Sequence, residues 1–265
     1  NEKSIKCAVA SEMLHTATLL HDDVADNAEY RRGRKTVYSL FSGAVSVLVG
    51  DFWLSRAVRQ VLETENNDIF ECYVRTIEDL AEGEMLQLSK AEQLDTTYDD
   101  YISIISRKTS SLFIATIKSA AISAGATPEQ VEAASNYAHK LGLAFQMRDD
   151  ILDYSPQMNT GKTPGLDLLE RKITIPLLSA FEQSTTEEID SVKAKLAKIG
   201  GSESNDLEIV AQVYDFVKEK NGVEIAQHKL TELGEEAACE LSQFEDNQAK
   251  EYLLSLIRFV CDRKV

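Results

Sequence analysis

Five stretches of this chain carry apolar side chains at three- and four-residue spacing, and almost nothing inside them would break a helix. They run over 4–21, 38–64, 68–94, 99–124 and 128–155; in the first, Ile5, Val9, Met13, Leu14 and Leu20 recur along the stretch. Glycine and proline number only 12 and 4 among 265 residues. Sandwiches and propellers need a turn about every ten residues, so this scarcity argues against them. No segment alternates as a strand does, and the pattern predicts an all-α chain. Thr127-Pro128-Glu129-Gln130 predicts a helix start with an N-cap, a first-turn proline and a capping-box glutamine. Ser184-Thr185-Thr186-Glu187 reads as a second capping box, and Asn221-Gly222 as a break between two helices. Residues 155–170, with Pro156, Gly161, Pro164 and Gly165, read as a long loop.

Charge narrows the partners. The formal net charge is −16 with a pI near 4.7, a surface that duplex nucleic acid would repel. Much of the surplus lies on the C-terminal third (Glu187, Glu188, Glu203, Glu208, Glu235, Glu236), where a solvated helix face explains it. Anions can bind such a chain only through a local cationic cluster or a metal. No apolar run approaches the roughly 20 residues needed to cross a bilayer. Cys7, Cys72, Cys239 and Cys261 lack C-x-x-C spacing and read as free thiols in a reducing cytoplasm.

Two of the helical stretches end in the same word. Leu20-His21-Asp22-Asp23-Val24-Ala25-Asp26 and Arg148-Asp149-Asp150-Ile151-Leu152-Asp153 both contain D-D-x-x-D. On a helix, i and i+4 share a face, so Asp22 and Asp26 point the same way, as do Asp149 and Asp153. Clustered carboxylates beside apolar surface repel one another and are costly to desolvate. A divalent metal relieves both costs. A hard cation such as Mg²⁺ prefers carboxylate oxygen and is usually held jointly with substrate phosphates. The complement is present as islands of cation: Arg31-Arg32-Gly33-Arg34-Lys35, Lys108-Thr109, Gly161-Lys162 and Arg171-Lys172. Arginine forks suit phosphate oxygens. Together these point to a diphosphate site. No P-loop or dinucleotide-binding glycine pattern occurs.

In order along residues 8–181, the motifs resemble those of the trans-isoprenyl diphosphate synthases, the polyprenyl synthetase family. They are Glu12 through Asp23, Arg31-Arg32-Gly33, Gly50-Asp51, Glu82-Gly83-Glu84, Lys108-Thr109, Phe145-Gln146 with the second aspartate motif, and Gly165-x-Asp167-Leu168 leading to Lys172. The resemblance implies one all-α domain over 1–265, a helical bundle around a deep central cavity with both motifs at its mouth, and a homodimer. It implies head-to-tail 1'-4 condensation of an allylic diphosphate (farnesyl or geranylgeranyl) with isopentenyl diphosphate in the cytoplasm. Roughly three Mg²⁺ ions per site would be held among Asp22, Asp23, Asp26, Asp149, Asp150 and Asp153. Arg31, Lys108, Lys162 and Lys172 would add donors to the allylic diphosphate. Thr109 and Gln146 would face the carbocation, and His15 and Arg32 would hold isopentenyl diphosphate. The departing diphosphate would take the proton. A glycine-glycine-lysine-arginine segment of the family falls upstream of Asn1, so N-terminal residues belonging to the domain are expected there.

Other readings compete. A non-catalytic subunit typically lacks one aspartate motif, and a class I terpene cyclase usually carries Asn, Ser and Glu in the second. Both motifs are intact here, which favours chain elongation. His21 is expected to orient an aspartate, His139 and His228 to be structural, Trp53 to be core and Asp51 to be buried. For product length, the resemblance directs attention to the turn below Asp22. Ala17 and Thr18 are small, leaving the floor open there, and Leu14 and Met13 would close it only deeper. The expected all-trans product is about C20 or longer, most often roughly C30–C45, because each added isoprene unit gains burial.

Overall fold

The computed structural model describes residues 1–154, 165–201 and 205–263. Along the chain lie α1 (Glu2–Ala25), β1 (Tyr30–Arg31), β2 (Arg34–Lys35), α2 (Val37–Leu40), α3 (Gly43–Leu62), α4 (Asn67–Gln93) and α5 (Tyr98–Ile105). A π-helical turn, Ser106–Ser110, leads into α6 (Ser111–Ala124) and α7 (Pro128–Asp153). Then follow α8 (Leu166–Leu169), α9 (Ile175–Phe181), α10 (Thr186–Leu196), α11 (Asp206–Glu219), α12 (Gly222–Glu240) and α13 (Gln248–Asp262). The all-α expectation holds, with one addition. Arg32 and Gly33 both take positive φ (50° and 74°), the demand of a type I′ turn, and close a two-residue-per-strand antiparallel hairpin. Strands that short leave no alternation to read.

The chain divides into two compact units, Asn1–Glu78 with Leu112–Ser135, and Asp79–Ser111 with Asn136–Val265. In the first, α1 packs on α3, and Cys7, Ala10, Leu14 and Ala17 are sealed inside with Val61, Ile69 and Ala115. A polar knot sits in this core: the Tyr73 hydroxyl donates to the Cys7 carbonyl (2.7 Å) and pairs with the Ser11 hydroxyl (2.7 Å). Such a satisfied network fixes one packing of α1 against α4. In the second unit, Tyr137, Leu141, Leu168, Ile175, Leu177, Val213 and Leu230 form the core, and the Tyr137 hydroxyl donates to Leu253 O (2.7 Å).

Helix boundaries follow local chemistry. Thr127 and Gln130 form the expected capping box (3.1 and 3.3 Å). The second box sits one residue later than expected, on Thr185 and Glu188. The reach from N-cap to N3 is the same, and Ser184 instead back-bonds to Ala180 O (2.7 Å). The expected 38–64 helix is split at Phe41, because Ser42 caps a new helix by accepting from Val45 N (3.2 Å). The 99–124 stretch is interrupted by the π turn.

Two glycines make room for that turn. A Cβ on Gly83 of α4 would lie 2.7 Å from Lys108 N, and one on Gly142 of α7 would lie 2.6 Å from Ser110 Cα. His139 adds a clamp: its ring meets the Ser106 hydroxyl (2.9 Å) and its carbonyl accepts from the Ser110 hydroxyl (2.7 Å). Burial lowers the His139 pKa, so the neutral ring is favoured, in its expected structural role. His228 is exposed on α12.

Candidate active site

The first motif closes α1. His15, Thr18 and Asp22, spaced three and four apart, form one half-buried stripe. Asp26 is the exposed C-cap, its backbone N–H returning to Asp22 O (2.8 Å). Burial is the main cause lowering the His15 pKa, with Arg32 and Arg31 adding to it against Glu12. His15 therefore enters as a neutral imidazole at pH 7.

Asp23 is engaged within its own unit. It is 4% exposed and takes Arg31 Nε on Oδ1 (2.8 Å). From the inner side of α1 it anchors the arginine hairpin. Arg32 stands exposed at the tip of that hairpin. His21 turns to α3 instead of its own cluster, meeting Val47 O (3.3 Å) and Asp51 Oδ1 (3.2 Å). Gly50 is needed there, since a Cβ would lie 2.3 Å from His21 Nε2. Asp51 is exposed, with 61% of its side chain accessible, which corrects the expectation of burial. Its His21 contact is made at the surface.

The chain-length expectation changes as well. Ala17 and Leu14 are each 1% exposed. They are buried on the inner side of α1 with Ala10 and Cys7, in the core of the first unit. Thr18 is half-buried, its hydroxyl donating to His15 O (2.9 Å). Met13 instead faces an apolar groove of about 440 Å³ with Val9, Thr16 and Trp53. Trp53 lines this groove rather than filling the core.

The second unit holds a cavity of about 110 Å³. Lys108, Thr109, Gln146, Asp150 and Lys172, all singled out from the sequence, line it together with Tyr101 and Asp167. Thr109 Oγ1 donates to Gln146 Oε1 (2.8 Å), and Gln146 Nε2 donates to Asp150 Oδ1 (2.8 Å). The Tyr101 hydroxyl donates to Asp150 Oδ2 (2.6 Å). Lys108 is ion-paired with Glu84 of α4, and Lys172 with Glu170. Asp149 is paired with Arg263, whose guanidinium lies 4.8 Å over the Phe145 ring. Asp153 is the last residue of α7, and its carbonyl accepts from the Tyr214 hydroxyl (2.7 Å). Lys162 lies outside the described residues.

Burial dominates the electrostatics. It pushes the carboxyls of Asp150 and Asp167 up, and Asp150 raises Asp167 further. Tyr101 is raised well above an ordinary phenol, chiefly by burial, so it remains a donor. Both aspartate motifs also stand at the C-terminal end of a long helix with no basic residue in its last turn. The helix dipole is unfavourable to carboxylates there. Among the described residues no three acidic, His or Cys side chains converge into a ready-made ion cage. The candidate donors of each motif are nonetheless all carboxylate oxygens, half-buried at Asp22, Asp149 and Asp153 and exposed at Asp26. That fits Mg²⁺ arriving with a diphosphate and keeping part of its water shell. Asp22 and Asp26 belong to the first unit and Asp149 and Asp153 to the second, and Asp150, also expected as a metal ligand, has both oxygens hydrogen-bonded.

Tyr101, Glu84, Asp167 and Arg263 were not assigned roles from the sequence. Glu84 and Asp167 stand in motifs already noted. Tyr101 was signalled only by its place two turns before Lys108 in an apolar stripe.

The fold is all-α, and its second unit gathers lysines and carboxylates around one cavity. The Polyprenyl synthetase family model matches residues 1–217. The chain is 38% identical to the all-trans-nonaprenyl-diphosphate synthase (geranyl-diphosphate specific) of Rhodobacter capsulatus, over 97% of this chain and 78% of that one. It is 36% identical to the octaprenyl diphosphate synthase of Haemophilus influenzae, over 98% and 78%. It superposes with a TM-score of 0.88 on a polyprenyl synthase from Caulobacter crescentus CB15 crystallised with calcium and isoprenyl diphosphate, at 35% identity over 98% of this chain and 78% of that one. The chain belongs to the polyprenyl synthetase family, a family of prenyltransferases. Among the described residues no helix is long and apolar enough to cross a membrane.

Proposed function

We propose that this chain condenses an allylic diphosphate with isopentenyl diphosphate, 1'-4 and trans, and releases diphosphate and a long polyprenyl diphosphate for quinone side chains. One observation carries the reading: the cavity of the second unit joins buried carboxylates, three lysines (Lys90, Lys108 and Lys172) and a threonine–glutamine pair of neutral oxygen dipoles. Those are the groups needed to break a C–O bond to diphosphate and shelter the carbocation left behind. Intact D-D-x-x-D motifs at both positions favour elongation over cyclisation or a silent subunit.

Bound Mg²⁺, roughly three ions per site by family resemblance, would neutralise the leaving diphosphate. By family resemblance, Asp22 and Asp26 of the first motif and Asp149 and Asp153 of the second would hold that metal. Lys108, Lys172, Arg31 and Lys162 donate to the diphosphate oxygens. Lys108 and Lys172 would exchange their carboxylate partners for phosphate as substrate enters. As the C1'–O bond breaks, its electron pair leaves with the diphosphate. The Thr109 and Gln146 oxygens face the allylic cation. The double bond of isopentenyl diphosphate, positioned by His15 and Arg32, then attacks C1'. The new C1'–C4 bond forms and the C2 proton passes to a diphosphate oxygen, so no protein base is needed.

Residues 1–265 act as one domain in this reading, since the family match runs through both compact units. The cysteines are free and Cys7 and Cys72 are buried, which suits a reducing cytoplasm. A homodimer is supported by α3, where Val45, Leu48 and Phe52 form an exposed apolar stripe (38%, 68% and 59%). The test of function is incubation with labelled isopentenyl diphosphate and geranyl, farnesyl or geranylgeranyl diphosphate, followed by product sizing. The expected product lies at roughly C30–C45.

A further inference from the structure

A glutamine beside a carbocation works in only one of its two flips. Its carbonyl end stabilises positive charge, and its amino end repels it. Thr109 alone does not select the flip, because a hydroxyl accepts from an amide N–H as readily as it donates to an amide oxygen. Asp150 does select it. A carboxylate only accepts, so the Gln146 amino end must face Asp150 Oδ1 (2.8 Å), which leaves Oε1 turned to Thr109 (2.8 Å). Asp150 is itself held at its other oxygen by the Tyr101 hydroxyl (2.6 Å). Tyr101 and Asp150 are 3% and 4% exposed, so water has little access to replace that bond. The chain of donors therefore has a single consistent direction.

We propose that Tyr101 is a positioning residue of the reaction: its phenol pins Asp150, which in turn locks the Gln146 carbonyl toward the carbocation. The assignment rests on the prenyltransferase reading of this cavity. Tyr101 needs no contact with substrate to act this way.

The test is Tyr101→Phe in the full chain, which keeps the ring and its packing. In ¹⁵N-labelled protein, the Gln146 side-chain amide, assigned by its loss in Gln146→Glu, should exchange its protons about tenfold faster or more in the variant. With farnesyl and isopentenyl diphosphates, kcat should fall about tenfold or more, while both KM values stay within about threefold. Tyr101→Phe should add nothing to the loss in a Gln146→Leu background. Unchanged amide exchange, a wild-type kcat, or independent multiplication of the two losses would each overturn the assignment. The amide readout requires no turnover. A wild-type protein that made no polyprenyl product would defeat the prenyltransferase reading while the exchange experiment still judged Tyr101.

Discussion

Ala17 and Thr18 are neighbours of similar size, yet the structure gives them opposite consequences. Ala17 is sealed among core side chains, whereas Thr18 lies on the half-buried stripe with His15 and Asp22. Ala17→Phe should overpack that core and cost about 1–3 kcal/mol, read as a lowered midpoint in chemical denaturation. Thr18→Phe should leave stability nearly intact and shorten the product toward roughly C15–C20, read by chain-length analysis, because it adds bulk on the substrate face. An Ala17→Phe protein of full stability would show that space does exist beside it. The carboxylates are a second test at this scale. Asp22→Ala or Asp149→Ala should lower kcat by about three orders of magnitude or more, since the charge they supply matters most as the C–O bond breaks. Motifs confined to one short segment, such as the paired aspartates and Lys108-Thr109, were legible in the sequence, and the structure places Lys108, Thr109 and Asp150 around one cavity. The Asp23–Arg31 pair was not legible, because Arg31 comes back on a hairpin too short to recognise. Tyr101 was missed because its partner lies 49 residues away.

Helices are the most legible elements, because an apolar period of 3.6 is local and propensity supports it. The interruption between α5 and α6 was not legible. A π turn depends on hydrogen-bond register, and here that register is accommodated by neighbours, Gly83 on α4 and Gly142 on α7. The two glycines had no visible purpose until the turn they admit was seen. Gly142→Ala should therefore push on the Ser110 backbone, destabilise the fold by about 1–3 kcal/mol and displace Thr109 from Gln146. Thermal melting and kcat should fall together. A variant with native melting and native kcat would mean that the turn is not held by this contact. The break at Phe41 teaches a similar lesson: a single serine able to cap outweighed a continuous apolar pattern.

At the scale of the whole molecule, the exposed apolar stripe of α3 tests the proposed homodimer. Val45, Leu48 and Phe52 repeat at three and four, and a second copy of the chain would bury them. Leu48→Asp with Phe52→Asp should convert a dimer to a monomer in light scattering, and a wild-type protein that is monomeric at micromolar concentration would contradict the assignment. The central claim is turnover by a metal-assisted diphosphate site. Its most direct measurement is incorporation of labelled isopentenyl diphosphate onto farnesyl diphosphate, with Mg²⁺ and again with excess EDTA. With Mg²⁺, product should accumulate at roughly C30–C45, and EDTA should abolish it. Incorporation that persisted in EDTA, or none with any allylic starter in Mg²⁺, would contradict it.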